Sequence, residues 1–191
     1  IITLHNYGNY KSKDDKGALS AVYQALDLNF SRDFVGKIVI TEGVTDFYFF
    51  DLLKNCTEFF NINFTIIPGS GSGNSSNLIS LALSFSENFV LLFDNDRGKE
   101  AFKKYKRHFG EDVLNKYFHL YDETKNFALE DFIEHDDRKK LIELTNTEDL
   151  KRAFSILYYD ISEKDKKGFM SNLGKETLRR LKPTISRINQ L

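Results

Sequence analysis

Three short segments carry acidic residues where a site is expected. Glu42 and Asp46 stand in TEGVTD, Asp94 and Asp96 in LLFDNDRG, and Glu130 with Asp131 in ALEDFI. A spacing of four returns a side chain to the same helix face, so Glu42 and Asp46 can converge. A spacing of two at a strand end points Asp94 and Asp96 to one side. Six carboxylates brought together without partners repel one another by several kcal/mol, on the order of the cost of unpaired buried charge. Cations relieve that repulsion. Oxygen ligands without Cys, and with no His pair near them, favour Mg²⁺ or Mn²⁺ over Zn²⁺. Two such ions suit phosphodiester cleavage. Acids at helix starts also serve as simple caps, as Asp46 and Glu130 could singly. EGVTD and DND, each directly after a hydrophobic strand, are harder to explain that way together.

The elements that must position these acids follow from periodicity. KIVIT (37–41), NFTIIP (63–68), NFVLLF (88–93) and KYFHLY (116–121) read as strands. Helical spacing marks 16–28, 46–56, 76–86, 98–108, 129–144, 148–159 and about 174–190. Strands alternating with helices predict an α/β fold with a mainly parallel sheet of about four strands. In such a sheet the working residues gather at the carboxyl ends of strands, where all three acidic segments fall. The expected division is a helical lead-in over 1–36, a catalytic core over 37–135 and a helical C-terminal extension over 136–191.

The motifs resemble a family. EGVTD (42–46) after one strand and DNDRG (94–98) after another are similar to the TOPRIM domain of topoisomerases, bacterial primases, recombination proteins and several nucleases. LDLNFSRDFVGKIVITEG, IIPGSGSGN and FALEDFI resemble the flanks of this domain in OLD-family (overcoming lysogenization defect) nucleases. The lysine-bearing SEKDKKGFM is similar to a segment that follows there. The resemblance implies a Rossmann-like TOPRIM core and a metal-dependent endonuclease that cuts DNA with two Mg²⁺ or Mn²⁺ ions. Glu42, Asp46 and Asp94 would share one ion and Asp96 with Glu130 the second, while Asp131 assists either. Lys167, or else Lys166, would steady the phosphate, with Glu42 and Asp94 central to catalysis. Arg97, Lys99, Lys103 and Lys104 would grip backbone phosphates. OLD-family members typically carry an ATPase domain ahead of the TOPRIM domain. With the Ile start, this leads us to expect a fragment of a longer antiviral-defence protein that forms homo-oligomers. An RNA-cleaving TOPRIM enzyme and a non-catalytic TOPRIM assembly module are the alternatives.

Composition limits other classes. In 191 residues, 41% hydrophobic and 29% charged, there is material for a core and a solvated surface, so disorder throughout is excluded. The net charge of -1 does not announce a nucleic-acid binder, but its distribution is uneven. Residues 97–108 hold six Lys or Arg against one Glu, whereas 122–149 hold ten acids against four bases. That segregation suits cations at a centre and a polyanion at a rim, although solvated helix faces would give the same runs. The single Cys56 cannot pair within the chain, which points to a reducing, cytoplasmic compartment. No apolar run approaches a membrane span and no signal peptide is visible, so no membrane partner is expected. GSGSGN (69–74) lacks the GK[ST] ending of a phosphate-binding loop and reads as a turn near the site. FYFF (47–50) reads as helix core rather than a base-stacking platform.

Overall fold

The computed structural model describes residues 36–69, 71, 76–85, 88–95, 98–124 and 126–191. The helix expected over 16–28 lies outside them. Four strands, β1 (Ile38–Thr41), β2 (Thr65–Pro68), β3 (Phe89–Phe93) and β4 (Phe118–Leu120), form one sheet in the order β2-β1-β3-β4. All three pairings are parallel, with Ile38 opposite both Thr65 and Phe89, and Leu91 opposite Phe118. The strands are short, and β1 and β3 are buried along their whole length.

Alternation explains why the strands read as unbroken apolar runs. Val39, Ile66, Val90 and Leu92 face one side, and Ile38, Ile40, Ile67, Phe89, Leu91 and Phe93 the other. A parallel sheet covered on both faces leaves no side for polar residues. The second face is closed by α2 (Ser76–Phe85), α3 (Gly98–Phe109) and α4 (Glu111–Tyr117). On the first face lies α1 (Val44–Cys56), with α5 (His135–Thr145), α6 (Leu150–Tyr159), α7 (Glu163–Ser171) and α8 (Lys175–Asn189) packed beyond it. Phe47, Tyr48, Phe49 and Phe50 of α1 are all buried, so FYFF is helix core as expected. Phe49 meets Phe154 of α6 edge-to-face at 5.2 Å, which docks the two helices. The four C-terminal helices thus share one core with the sheet. No helix among the described residues is long and apolar enough to cross a membrane.

Two boundaries differ from the expectation. The helix expected over 129–144 is broken into a 3₁₀ turn (Leu129–Phe132) and α5. The Asp131 carboxylate accepts the Ala128 N–H at 2.9 Å, and Glu134, extended at φ -75° and ψ 169°, donates its N–H to Thr177 Oγ1 of α8 at 3.0 Å. Bonds reaching outside the segment end the first turn. The strand expected over 116–121 is shorter, because residues up to Tyr117 complete α4, a helix the periodicity had not marked.

Candidate metal centre

The strand order creates the place for a site. From β1 the chain crosses to β2 on one side, then returns past β1 to β3 on the other. The carboxyl ends of β1 and β3 therefore flank the point where the order reverses, which is where open α/β sheets bind ligands. Glu42 follows β1 and Asp94 follows β3, on adjacent strands. The Asp94 N–H donates to Glu42 Oε2 at 3.1 Å, tying the two ends together.

Each further acid is brought in by a separate device. Asp46 lies in the first turn of α1, and its Oδ1 accepts the Tyr121 hydroxyl at 2.6 Å. Tyr121 follows β4, and its N–H continues the ladder to the Phe93 carbonyl at 3.0 Å. Leu129 N–H donates to Asp94 Oδ1 at 3.0 Å, which seats the turn that presents Glu130. Asn95 clamps the same loop. Its N–H reaches the Phe127 carbonyl at 2.7 Å, and its side-chain amide donates to the Asp122 and Thr124 carbonyls at 2.9 and 2.8 Å. Gly71, with φ +97°, lies in the left-handed region that favours glycine, and its N–H caps the Glu42 carbonyl at 2.9 Å.

These groups surround a cavity of about 140 Å³, lined by Glu42, Asp46, Gly71, Asp94, Glu130 and Lys151 together with Gly43, Thr45 and Leu129. It has room for several waters or a hydrated ion. Lys151, in the first turn of α6, brings its Nζ to 3.7 Å from Glu130 Oε1. Burial pushes the Asp46 carboxyl up to about 6; the Tyr121 hydrogen bond opposes the rise, and the Glu130 charge adds to it. Burial, and the charges of Asp46, Asp94 and Glu42, hold the Tyr121 phenol protonated, so it remains a donor. Burial acts to lower the Lys151 pKa, but the carboxylates of Glu130, Asp94 and Asp46 outweigh it, and the amine stays an ammonium. Among the described residues no three acidic, histidine or cysteine side chains are already gathered at ligating positions round one point. The carboxylates are instead held by Tyr121 and by backbone amides.

The described lining offers four carboxylates and one ammonium, without thiol or imidazole. Such an all-oxygen donor set, rich in negative charge, fits a hard divalent cation such as Mg²⁺ or Mn²⁺.

Of the residues expected from the sequence, Glu42, Asp46, Asp94 and Glu130 come together. Asp131 is engaged elsewhere: besides capping the Ala128 N–H, it lies 3.6 Å from Arg138. Asp96 and Arg97 fall outside the described residues, as does the side chain of Lys99. Lys103 and Lys104 are exposed on α3. The two lysines expected to act in catalysis do not line the cavity. Lys166 pairs with Glu163 at 2.6 Å, and Lys167 lines a separate hollow with Asn55, Cys56 and Phe59 at the far end of α1. Lys151 stands at the cavity in their place. The sequence carries no signal for it, because Lys151 has no local spacing to any of the acids; only the docking of α6 on α1 delivers it.

Fold and site together define an α/β chain with a doubly covered parallel sheet and a carboxylate-lined pocket at its topological switch point. No protein-family model matches the chain, and neither a curated protein nor a solved structure matches it.

Proposed function

We propose that this chain is a metal-dependent nuclease of the TOPRIM type, closest in kind to OLD-family endonucleases, that hydrolyses DNA phosphodiester bonds. The observation that supports it best is the convergence of Glu42, Asp46, Asp94 and Glu130, from three separate chain segments, on one cavity with Lys151. A scaffold has no need to concentrate four carboxylates there against their mutual repulsion.

In this reading Glu42, Asp46, Asp94 and Glu130, with Asp96 from the sequence motif, hold two Mg²⁺ or Mn²⁺ ions. When bound, such ions neutralise phosphate charge and make water a better nucleophile near neutral pH. The chain's own groups do the rest. Tyr121 fixes one Asp46 oxygen, the Asp94 N–H fixes one Glu42 oxygen, and the 3₁₀ turn held by Asp94 sets Glu130. These contacts pre-orient the carboxylates, which lessens reorganisation during reaction. The Lys151 ammonium, on the open side, binds a non-bridging phosphate oxygen and offsets the charge that develops there. Lys103 and Lys104 contact flanking phosphates. An ATPase partner, homo-oligomeric assembly, a cytoplasmic location and an antiviral setting belong to the same proposal.

The test is cleavage of supercoiled and linear DNA, with an RNA control, by wild type and Asp94→Asn in Mg²⁺, Mn²⁺, Ca²⁺ or EDTA. Asparagine keeps an acceptor for the Leu129 N–H, so the variant should fold. Cutting of DNA by wild type alone, in Mg²⁺ or Mn²⁺, is the expected result. Equal cutting by the variant, or in EDTA, refutes the site. Absence of cutting together with no metal-induced rise in melting temperature refutes the function.

A further inference from the structure

Beside the pocket lies an aromatic cluster that the hydrolytic chemistry does not use. Thr45 lines the cavity, and Tyr48 lies three positions further along α1, on the same face one turn on. Tyr48 is buried, and its ring meets Tyr159 of α6 at 5.4 Å and 80°. Tyr158 meets Tyr159 at 5.0 Å and 78° and packs on Tyr48 at 4.7 Å. Asp51 accepts the Tyr158 hydroxyl at 2.9 Å, and Lys166 Nζ lies 6.0 Å from the Tyr158 ring centre. The ring of Tyr159 is therefore braced from below while the residue remains 42% exposed. Among the described residues it is the one large hydrophobic side chain left so open.

Its position on α6 matters as much as its exposure. Arg152 and Tyr159 are both exposed and seven residues apart, two turns along one stripe of the helix, about 10 Å. Lys151, next to Arg152, lines the pocket. Carboxylate pocket, two cations and a braced aromatic ring thus follow one another along a single helix. Cations that track a backbone and aromatic rings that receive bases are the two components of single-strand recognition. A duplex keeps its bases stacked on one another and offers no exposed face to such a ring.

We propose that Tyr159 is a stacking platform for a base of single-stranded DNA whose backbone runs from the pocket past Lys151 and Arg152. This inference rests on the nuclease reading of the pocket and names the form of DNA it receives. Because Tyr48 and Tyr158 already hold the ring, stacking orders little that was loose. Lys166 acts here at a distance from the pocket, as a brace on Tyr158.

The experiment is fluorescence anisotropy with a labelled oligothymidylate, the same strand carrying abasic sites, and a duplex of equal length, in Ca²⁺. Wild type, Tyr159→Ala and Tyr159→Phe are compared, with melting temperatures as a check on folding. Tyr159→Ala should bind the oligothymidylate about tenfold more weakly, the loss of roughly one stacked base, and Tyr159→Phe should stay within about twofold of wild type. The abasic strand and the duplex should not distinguish the three proteins. Undiminished binding by Tyr159→Ala, or an equal loss on the abasic strand or the duplex, overturns the platform and leaves the nuclease reading standing. Failure of wild type to bind any of the three DNAs overturns both.

Discussion

Replacing Asp46 with asparagine should make the metal-free protein more stable at neutral pH, although the same change removes a proposed metal ligand. Asp46 is only 7% exposed, and burial lifts its carboxyl from 3.8 to about 6. In the unfolded chain the value is the ordinary one. Between these two pH values the folded protein keeps a proton that the unfolded chain has released. Stability from this group is therefore fully present below about pH 4, falls as pH rises, and is lost above about pH 6. A shift of about two units corresponds to about 3 kcal/mol. Asparagine carries no charge at any pH and keeps an oxygen for the Tyr121 hydroxyl. Its amide, however, meets the backbone groups of Asp46 and Gly43 that favour a carboxylate, which returns part of the gain. The expected net is about 1–2 kcal/mol, allowing for one poorly satisfied polar group. In a chain of this size each kcal/mol is about 2–4 °C in melting temperature. Urea and thermal unfolding in EDTA, from about pH 4 to pH 8, would measure it, since the window set by the two pKa values lies inside that range. The two proteins should be close in stability at the acid end and separate as pH rises, with Asp46→Asn the more stable. A variant less stable than wild type near neutral pH, or a gap that does not change with pH, would show that burial of this charge is not what raises the pKa.

Two further outcomes follow from the contacts of single residues. Lys151→Ala should slow metal-dependent cleavage by about 10²–10³-fold, the loss of one charge-stabilising donor, with little change in melting temperature. Lys167→Ala should cleave like wild type, and the opposite ranking in single-turnover kinetics would return the catalytic role to α7. Asp137, fully buried, accepts the Gly174 N–H at 2.7 Å and the Thr177 hydroxyl at 2.8 Å, joining α5 to the start of α8. Asp137→Ala strands both donors and should cost about 2–4 kcal/mol in urea denaturation, whereas a loss below about 0.5 kcal/mol would mean that α8 is held by its apolar face alone.

Glu42, Asp46, Asp94 and Glu130 were legible because each lies in or just after a segment with a plain local signal. A parallel sheet converts position after a strand into position in space, so β1 and β3 needed no tertiary knowledge to deliver Glu42 and Asp94. Lys151 had no such signal. Its approach to Glu130 depends on Phe49 meeting Phe154, two residues more than a hundred positions apart. Asp131 shows a related limit: ED in sequence offers two carboxylates, and only the backbone turn decides that Asp131 is the one that accepts the Ala128 N–H. The break at Ile133 and Glu134 was hidden because the partner of the Glu134 N–H lies on α8. Asp137, within the charged run HDDRKK, has no signal that sets it apart from its neighbours, and only the fold shows it turned inward.

Asn95 joins the end of β3 to the stretch after β4 through three hydrogen bonds, so the segments bearing Asp94 and Glu130 behave as one plate fixed to the sheet. Lys151, Arg152 and Tyr159 all ride on α6, which packs on α1 and α5 and meets that plate through the Lys151–Glu130 pair. The pocket is thus divided between carboxylates set by strand ends, the first turn of α1 and the 3₁₀ turn, and a cation carried in on a separate helix. On the nuclease proposal, substitutions on α6 would retune what is gripped, and how strongly, while leaving the carboxylates in place. If that proposal holds, a molecule organised this way changes its clientele without relearning its chemistry.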